Sequence, residues 1–205
     1  MAQLRKAIPY VIAVIFVIVY LTAIANHPLL EPDEGRYAEI AREMVESGDY
    51  ITPRLNYVKY FEKPVLLYWM NAAAYGVFGE SGFASRLPTA LCALCGIMVV
   101  GALGAYMFGR TAGLMSSIVT GSSLLYFAIG TIDLTDMPVS FFMTVAMAAF
   151  YVGANSGNRR WYAAFYAAMA LAVLTKGLIG IVLPGGIAFW YIVVTRKWRV
   201  IREAL

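Results

Sequence analysis

Charge is scarce in this chain. Of 205 residues only 14% are Asp, Glu, Lys or Arg and 61% are hydrophobic, whereas about a quarter of a soluble domain is charged. That balance excludes a water-soluble globular protein. Histidine is scarcer still: the single one, His27, is too little for a metal site and is placed at the membrane surface. The two cysteines, Cys92 and Cys95, have a CxxC spacing that in a soluble protein would suggest redox or metal chemistry. Both fall inside an apolar run, with no second pair and no nearby histidine, so they read as small buried apolar residues. No internal repeat is visible, and with it goes the main sequence signature of a transporter. The net charge of +4 follows membrane topology rather than gathering on one face, so no nucleic acid partner is expected.

What is present is a series of long apolar runs. About 20 residues cross the hydrocarbon core as a helix, and six segments qualify: Ala7 to Ala25, Leu87 to Phe108, Ala112 to Ile129, Pro138 to Gly153, Trp161 to Thr175 and Leu178 to Val194. Lys and Arg are retained on the cytoplasmic side. Arg5, Lys6, Arg110, Arg159, Arg160, Arg196, Lys197, Arg199 and Arg202 all fall on one side of these spans. Both ends are therefore expected in the cytoplasm, with the loop from Asn26 to Arg86 outside it, in a bacterial periplasm or equivalent lumen. The fold class expected is an all-α polytopic membrane protein.

The outer loop carries two further helices. Tyr37, Ile40, Ala41, Met44 and Val45 repeat with helical period, the stripe of a one-sided helix over about 34–47. The segment 63–78 is apolar but short for a crossing, and counting it as a span would move every later basic loop outside. Both are expected to lie in the membrane interface. Arg5 and Lys6 before a run ending in Ala23-Ile24-Ala25 resemble a secretory signal, but the run is long and five more spans follow, so an uncleaved anchor is expected.

The polar chemistry sits at the outer mouth. Asp33 precedes the first loop helix, where a capping carboxylate would be unremarkable, and Arg36 one turn on could be its surface ion-pair partner. Lys63 could equally be a snorkelling lysine. Asp133 and Asp136, in Thr131-Ile132-Asp133-Leu134-Thr135-Asp136, lie at a span's edge on the same outer side. Their spacing of three would put both on one face of a helix. Lys176, between the fifth and sixth spans, is on that side too. Acids at a span's edge usually have a cation partner or a function, and three separate connections bringing opposite charges to one surface point to a site.

Pro32-Asp33-Glu34-Gly35-Arg36-Tyr37, Gly48-Asp49-Tyr50, Tyr60-Phe61-Glu62-Lys63-Pro64, Gly130-Thr131 with Asp136 beyond, and Leu174-Thr175-Lys176-Gly177 resemble the aminoarabinose transferases. Those belong with the protein O-mannosyltransferases among the polytopic C-type glycosyltransferases. The resemblance implies transfer of a sugar from a polyprenyl phosphate carrier, undecaprenyl phosphate in bacteria, to an acceptor on the outer side of the inner membrane. The acceptor would be a lipid A phosphate in the aminoarabinose branch or a protein in the mannosyl branch. By the same resemblance Asp33 and Asp136 match catalytic acids and Arg36 and Lys63 match carrier-phosphate ligands. Glu62 matches a position that can contribute to a divalent metal site. Glu34, Tyr37, Tyr60, Asp133 and Lys176 are candidate substrate-lining residues. Gly35 departs from the aminoarabinose pattern, Asp133 is an extra carboxylate without a matched role, and the family is longer, with further spans and a soluble outer domain. The chain is therefore expected to be the N-terminal membrane module of a larger transferase, inactive or only partly competent alone. A non-catalytic membrane protein binding polyprenyl phosphate or a partner protein is the alternative.

Overall fold

The computed structural model describes residues 2–25 and 27–204, with side chains for 7–25 and 27–202. Asn26, where the outer loop was set to begin, and the side chains of Arg5 and Lys6 lie outside the described residues. Ten helices and one hairpin follow in order: α1 (Ala2–Ala25), α2 (Asp33–Ser47), β1 (Arg54–Leu55), β2 (Val58–Lys59), α3 (Leu66–Phe78), α4 (Gly82–Phe108), α5 (Arg110–Ser122), α6 (Leu124–Gly130), α7 (Asp136–Ser156), α8 (Arg160–Lys176), α9 (Ile179–Thr195) and α10 (Arg199–Ala204). The chain is an all-α polytopic membrane protein.

Ala7–Ala25, Gly82–Phe108 and Asp136–Ser156 are each long and apolar enough to cross a bilayer. Where the fifth and sixth spans were expected lie α8 and α9, of 17 residues each, shorter than those three; α9 is an apolar helix. The third expected span, Ala112 to Ile129, is not one helix: α5 and α6 meet at a 65° bend. Ser123, with extended backbone (ψ 125°), makes the break. The run stays apolar on both sides of it, so a hydropathy reading passes straight through.

Close helix contacts are made with small residues, as suits a membrane, where helices gain little from burying apolar surface and rely on near approach. A Cβ on Gly113 of α5 would come within 2.5 Å of the Gly101 carbonyl and 2.7 Å of the Ala105 nitrogen on α4. α1 packs on α4 through Tyr20 and Ile24, both fully buried, and the Tyr20 hydroxyl donates to the Gly121 carbonyl at 3.2 Å. Cys92 is buried in this same cluster with Ala93, Ile97 and Met137, an apolar role as the sequence suggests.

The two loop helices form a layer at one end of the bundle. The stripe read from the sequence, Tyr37, Ile40, Ala41 and Met44, is buried against Leu67, Tyr68, Ala72 and Tyr75 of α3. Gly48, in the left-handed conformation (φ 70°), ends α2, which lets the chain turn into the β1–β2 hairpin. The buried Glu43 carboxylate holds that hairpin by accepting the Tyr57 backbone N–H at 3.0 Å. α3 in turn packs on α4 and touches α8. The loop layer is thus fixed to the ends of the spans that carry Asp136 and Lys176.

Candidate functional site

The site begins with a helix start that is left uncapped. Pro32 is the N-cap of α2, no side chain caps it, and Asp33 and Glu34 fill the first turn. Acids there are favoured by the helix dipole, but the capping bond expected of Asp33 is not made. Its carboxylate is instead 54% exposed, 3.6 Å from Arg36 Nη1. The Arg36 guanidinium donates to the Tyr60 hydroxyl at 3.2 Å, and Tyr60 donates to Glu62 Oε2 at 2.6 Å. Arg36 stands 4.0 Å from Glu62. Ion pairs this open and this long add little to stability. Lys63, half-buried beside them, makes no hydrogen bond or ion pair among the described residues.

The second group is an ion pair. Lys176 donates to Asp136 Oδ1 at 2.6 Å, both side chains part-exposed. Tyr37 feels charges from both groups. Burial, and after it the Asp33 carboxylate, pushes its hydroxyl up to about 12, and the charges of Tyr60, Arg36 and Asp136 also reach it. Asp33, Arg36, Tyr37, Tyr60, Glu62, Asp136 and Lys176 therefore share one electrostatic neighbourhood, and Lys63 adjoins it in sequence. Among the described residues no three His, Cys, Asp or Glu side chains gather to hold a metal. The partners of Glu62 here are hydrogen-bond donors.

Beneath this surface is a buried polar network that a sequence reading does not find. Arg86, read as one more loop cation, lies inside α4 and is fully buried. It donates to both oxygens of Glu34, from Nε and Nη2, at 2.7 Å each. It also donates to the carbonyls of His27 at 2.8 Å and Pro28 at 2.7 Å. Glu34 accepts the backbone N–H of Leu30 and of Asp133, each at 2.7 Å. Burial pushes the Glu34 carboxyl up, but the Arg86 bonds and the two backbone N–H groups outweigh it and leave it below its usual range. Glu34 and Asp133, both expected to line a substrate, are fully buried. They join α1, α2, α4 and the 131–135 turn to one another. Asp133 precedes α7 in an irregular turn, so the spacing of three does not place it beside Asp136: one acid points in and the other out.

Asp133 Oδ2 accepts from Asn71 Nδ2 at 2.7 Å and from the Ser85 hydroxyl. Its Oδ1 has no partner among the described residues. Burial pushes this carboxyl up to about 7; the Ser85 and Asn71 bonds and Arg86 oppose the rise, while Glu34 adds to it. The folded state then holds a proton that the unfolded chain, titrating near 4, has released. Stability from this group is full below about 4 and falls as pH climbs toward about 7. Asp133→Asn keeps the acceptor for Asn71 and Ser85 and cannot ionise. Its melting temperature relative to wild type, followed from pH 5 to pH 8 in detergent, is expected to rise across that interval. A constant difference would show that Asp133 does not titrate there.

Known proteins are similar to this chain in sequence and in fold. The arabinosyl transferase of Yersinia pestis acting with undecaprenyl phosphate-alpha-4-amino-4-deoxy-L-arabinose is 34% identical over 189 residues, 90% of this chain and 34% of that protein. Its counterpart from Edwardsiella ictaluri is 31% identical over 195 residues, 93% of this chain and 35% of that protein. Two crystal structures of ArnT from Cupriavidus metallidurans superpose on nearly the whole fold. The apo form gives a TM-score of 0.86 at 35% identity, covering 99% of this chain and 38% of that one. The form bound to undecaprenyl phosphate gives 0.90 at 34% identity, covering 100% and 38%. The chain thus spans about a third of the length of the relatives it matches. The profile of the dolichyl-phosphate-mannose-protein mannosyltransferases matches residues 9–204, nearly every span, both loop helices and all the charged groups described above, and the chain belongs to that family.

Proposed function

We propose that this chain is the N-terminal membrane part of a glycosyltransferase that takes a sugar from undecaprenyl phosphate and passes it to an acceptor on the periplasmic side of the bacterial inner membrane. The sugar favoured is aminoarabinose and the acceptor lipid A. The observation that carries this reading is the exposed, weakly paired cluster of Asp33, Arg36, Tyr60 and Glu62, with Lys63 next to it, in a fold that superposes on a relative bound to undecaprenyl phosphate. The arabinosyl relatives favour a lipid acceptor; the protein acceptor named by the family is the second reading. The basic connections after α7 and α9 meet through Arg159 with Arg202 and Lys197 with Asn155, at the far ends of α7 and α8 from Asp136 and Lys176, which supports cytoplasmic termini and a periplasmic site.

The chemistry follows from the charges. As the bond from the sugar's anomeric carbon to the carrier oxygen breaks, its electron pair stays on the phosphate, and an acceptor oxygen forms the new bond to that carbon. Negative charge grows on the leaving phosphate, so fixed cations beside it stabilise the transition state more than the ground state. Arg36 supplies a planar fork for two phosphate oxygens and Lys63 a mobile point charge. Positive charge grows on the sugar ring, where the Asp33 carboxylate stabilises it or takes a proton from a hydroxyl acceptor. A phosphate acceptor needs little such base catalysis. Asp136, oriented by Lys176 at 2.6 Å, presents a second carboxylate. Glu62 is a candidate metal ligand only together with residues from the rest of the protein.

Because the chain is about a third of its relatives' length, the activity belongs to the full-length protein and this segment alone is expected to be inactive. Mass spectrometry of lipid A and envelope glycans from cells with and without the gene tests the reading. The expected result is loss of a pentosamine-substituted lipid A species in the deletion strain. Identical lipid A and identical glycans in both strains would leave only a non-catalytic role.

A further inference from the structure

Tyr68, in the first turn of α3, is fully buried, and its hydroxyl has no hydrogen-bond partner among the described residues. Its ring packs against Tyr37, centroid to centroid 5.9 Å, in a cluster that also takes in Tyr60 and Leu134. The neighbouring tyrosines are differently placed. Tyr60 both accepts from Arg36 and donates to Glu62, and Tyr75, two turns further along the same face of α3, donates to the Ala38 carbonyl at 3.4 Å. A buried hydroxyl without a partner is destabilising, and phenylalanine would fill the same space without that cost. The hydroxyl of Tyr68 therefore calls for a partner beyond the described residues.

Its surroundings say what that partner carries. The hydroxyl lies within electrostatic reach of Tyr37, Tyr60, Glu62 and Arg36, on the side of the cluster where the carrier phosphate is placed above. Tyr60, which packs against the same cluster, is tied to an Arg36 that is loosely paired: 3.6 Å from Asp33 and 4.0 Å from Glu62. An anion that draws Arg36 to itself takes a donor from Tyr60 and leaves that ring, packed on the Tyr68 cluster, freer to shift.

We infer that Tyr68 is a ligand-contacting residue whose hydroxyl donates a hydrogen bond to a phosphate oxygen of the polyprenyl carrier, joining Arg36 and Lys63 in a three-point grip. The inference rests on the function proposed above. It extends the phosphate site inward from the exposed cations to a buried donor with fixed geometry.

The test uses the full-length protein purified in detergent, with radiolabelled undecaprenyl phosphate as the probe and inorganic phosphate as competitor. Tyr68→Phe is expected to melt at or above the wild-type temperature and to bind the probe about tenfold more weakly, the effect of losing one hydrogen bond to a charged group. Tyr75→Phe, which loses a bond within the fold, is expected to melt lower with unchanged affinity. If Tyr68→Phe binds like wild type while Arg36→Ala does not, the role of Tyr68 is overturned and the phosphate site stands. If neither variant affects binding, the proposed function falls and this inference with it. A drop in melting temperature like that of Tyr75→Phe would make the hydroxyl structural and also overturn it. Displacement of the probe by millimolar inorganic phosphate would mark a general anion site rather than one that needs the lipid.

Discussion

Arg86→Ala is expected to lower the stability of the full-length protein by about 3–5 kcal/mol, the range seen when one partner of a buried ion pair is removed. The size of the effect comes from what stays behind. Glu34 is fully buried and would keep only the Leu30 and Asp133 backbone N–H groups. The carbonyls of His27 and Pro28 would lose their guanidinium donors as well. Arg86→Lys is expected to recover only part of the loss, because an ammonium cannot reproduce the paired bonds from Nε and Nη2 to the two carboxylate oxygens. Replacing both partners with apolar residues of similar size should be milder than either single change, since no charge is then left unpaired. Thermal unfolding in detergent, with the monodisperse fraction on size exclusion, reads all of these. Wild-type melting in Arg86→Ala would mean that Glu34 finds another partner and that the network does not bind the loop layer to the spans.

How much of this was legible in the sequence depended on the kind of force involved. The spans were readable because burial in lipid demands long uninterrupted apolar runs, and α2 because one-sided burial leaves a helical period in the sequence. The bend at Ser123 was not, because nothing polar marks it within an apolar run. The exposed cluster was legible through charge: acids and bases concentrated at span edges need partners, and Lys176 with Asp136 is such a pair. The burial of Arg86 and Asp133 was not legible, for one shared reason. A charged residue in a loop-like stretch is by default solvated, and only the fold reveals that Arg86 and Glu34 neutralise each other in the interior. Glu34 and Asp33, adjacent in sequence, consequently divide the work: the inward carboxylate fixes the helix and the outward one faces the mouth.

The second large effect concerns the mouth itself. Arg36 is joined to Tyr60 and Glu62, Lys63 follows Glu62 directly in the sequence, and neither cation is committed to a strong pair that would compete with a ligand. A hydrogen bond from a cation to phosphate contributes roughly 1.5–3 kcal/mol, so each alanine variant is expected to weaken carrier binding by about 10- to 100-fold, and the double variant by more. The fold should be little affected, because exposed pairs of this kind contribute almost nothing to stability. Raising the salt concentration should shrink the difference between wild type and variants, as screening weakens charges open to solvent. Arg36→Lys is expected to fall between wild type and alanine, keeping the charge and losing the planar fork.

Equilibrium binding of undecaprenyl phosphate to the purified full-length protein, with Arg36→Ala, Lys63→Ala and the double variant measured in parallel, tests this most directly. The expected result is a stepwise loss of affinity at an unchanged melting temperature. Wild-type affinity in the double variant would contradict it, and would move the carrier's phosphate away from the surface that α2 and the start of α3 build.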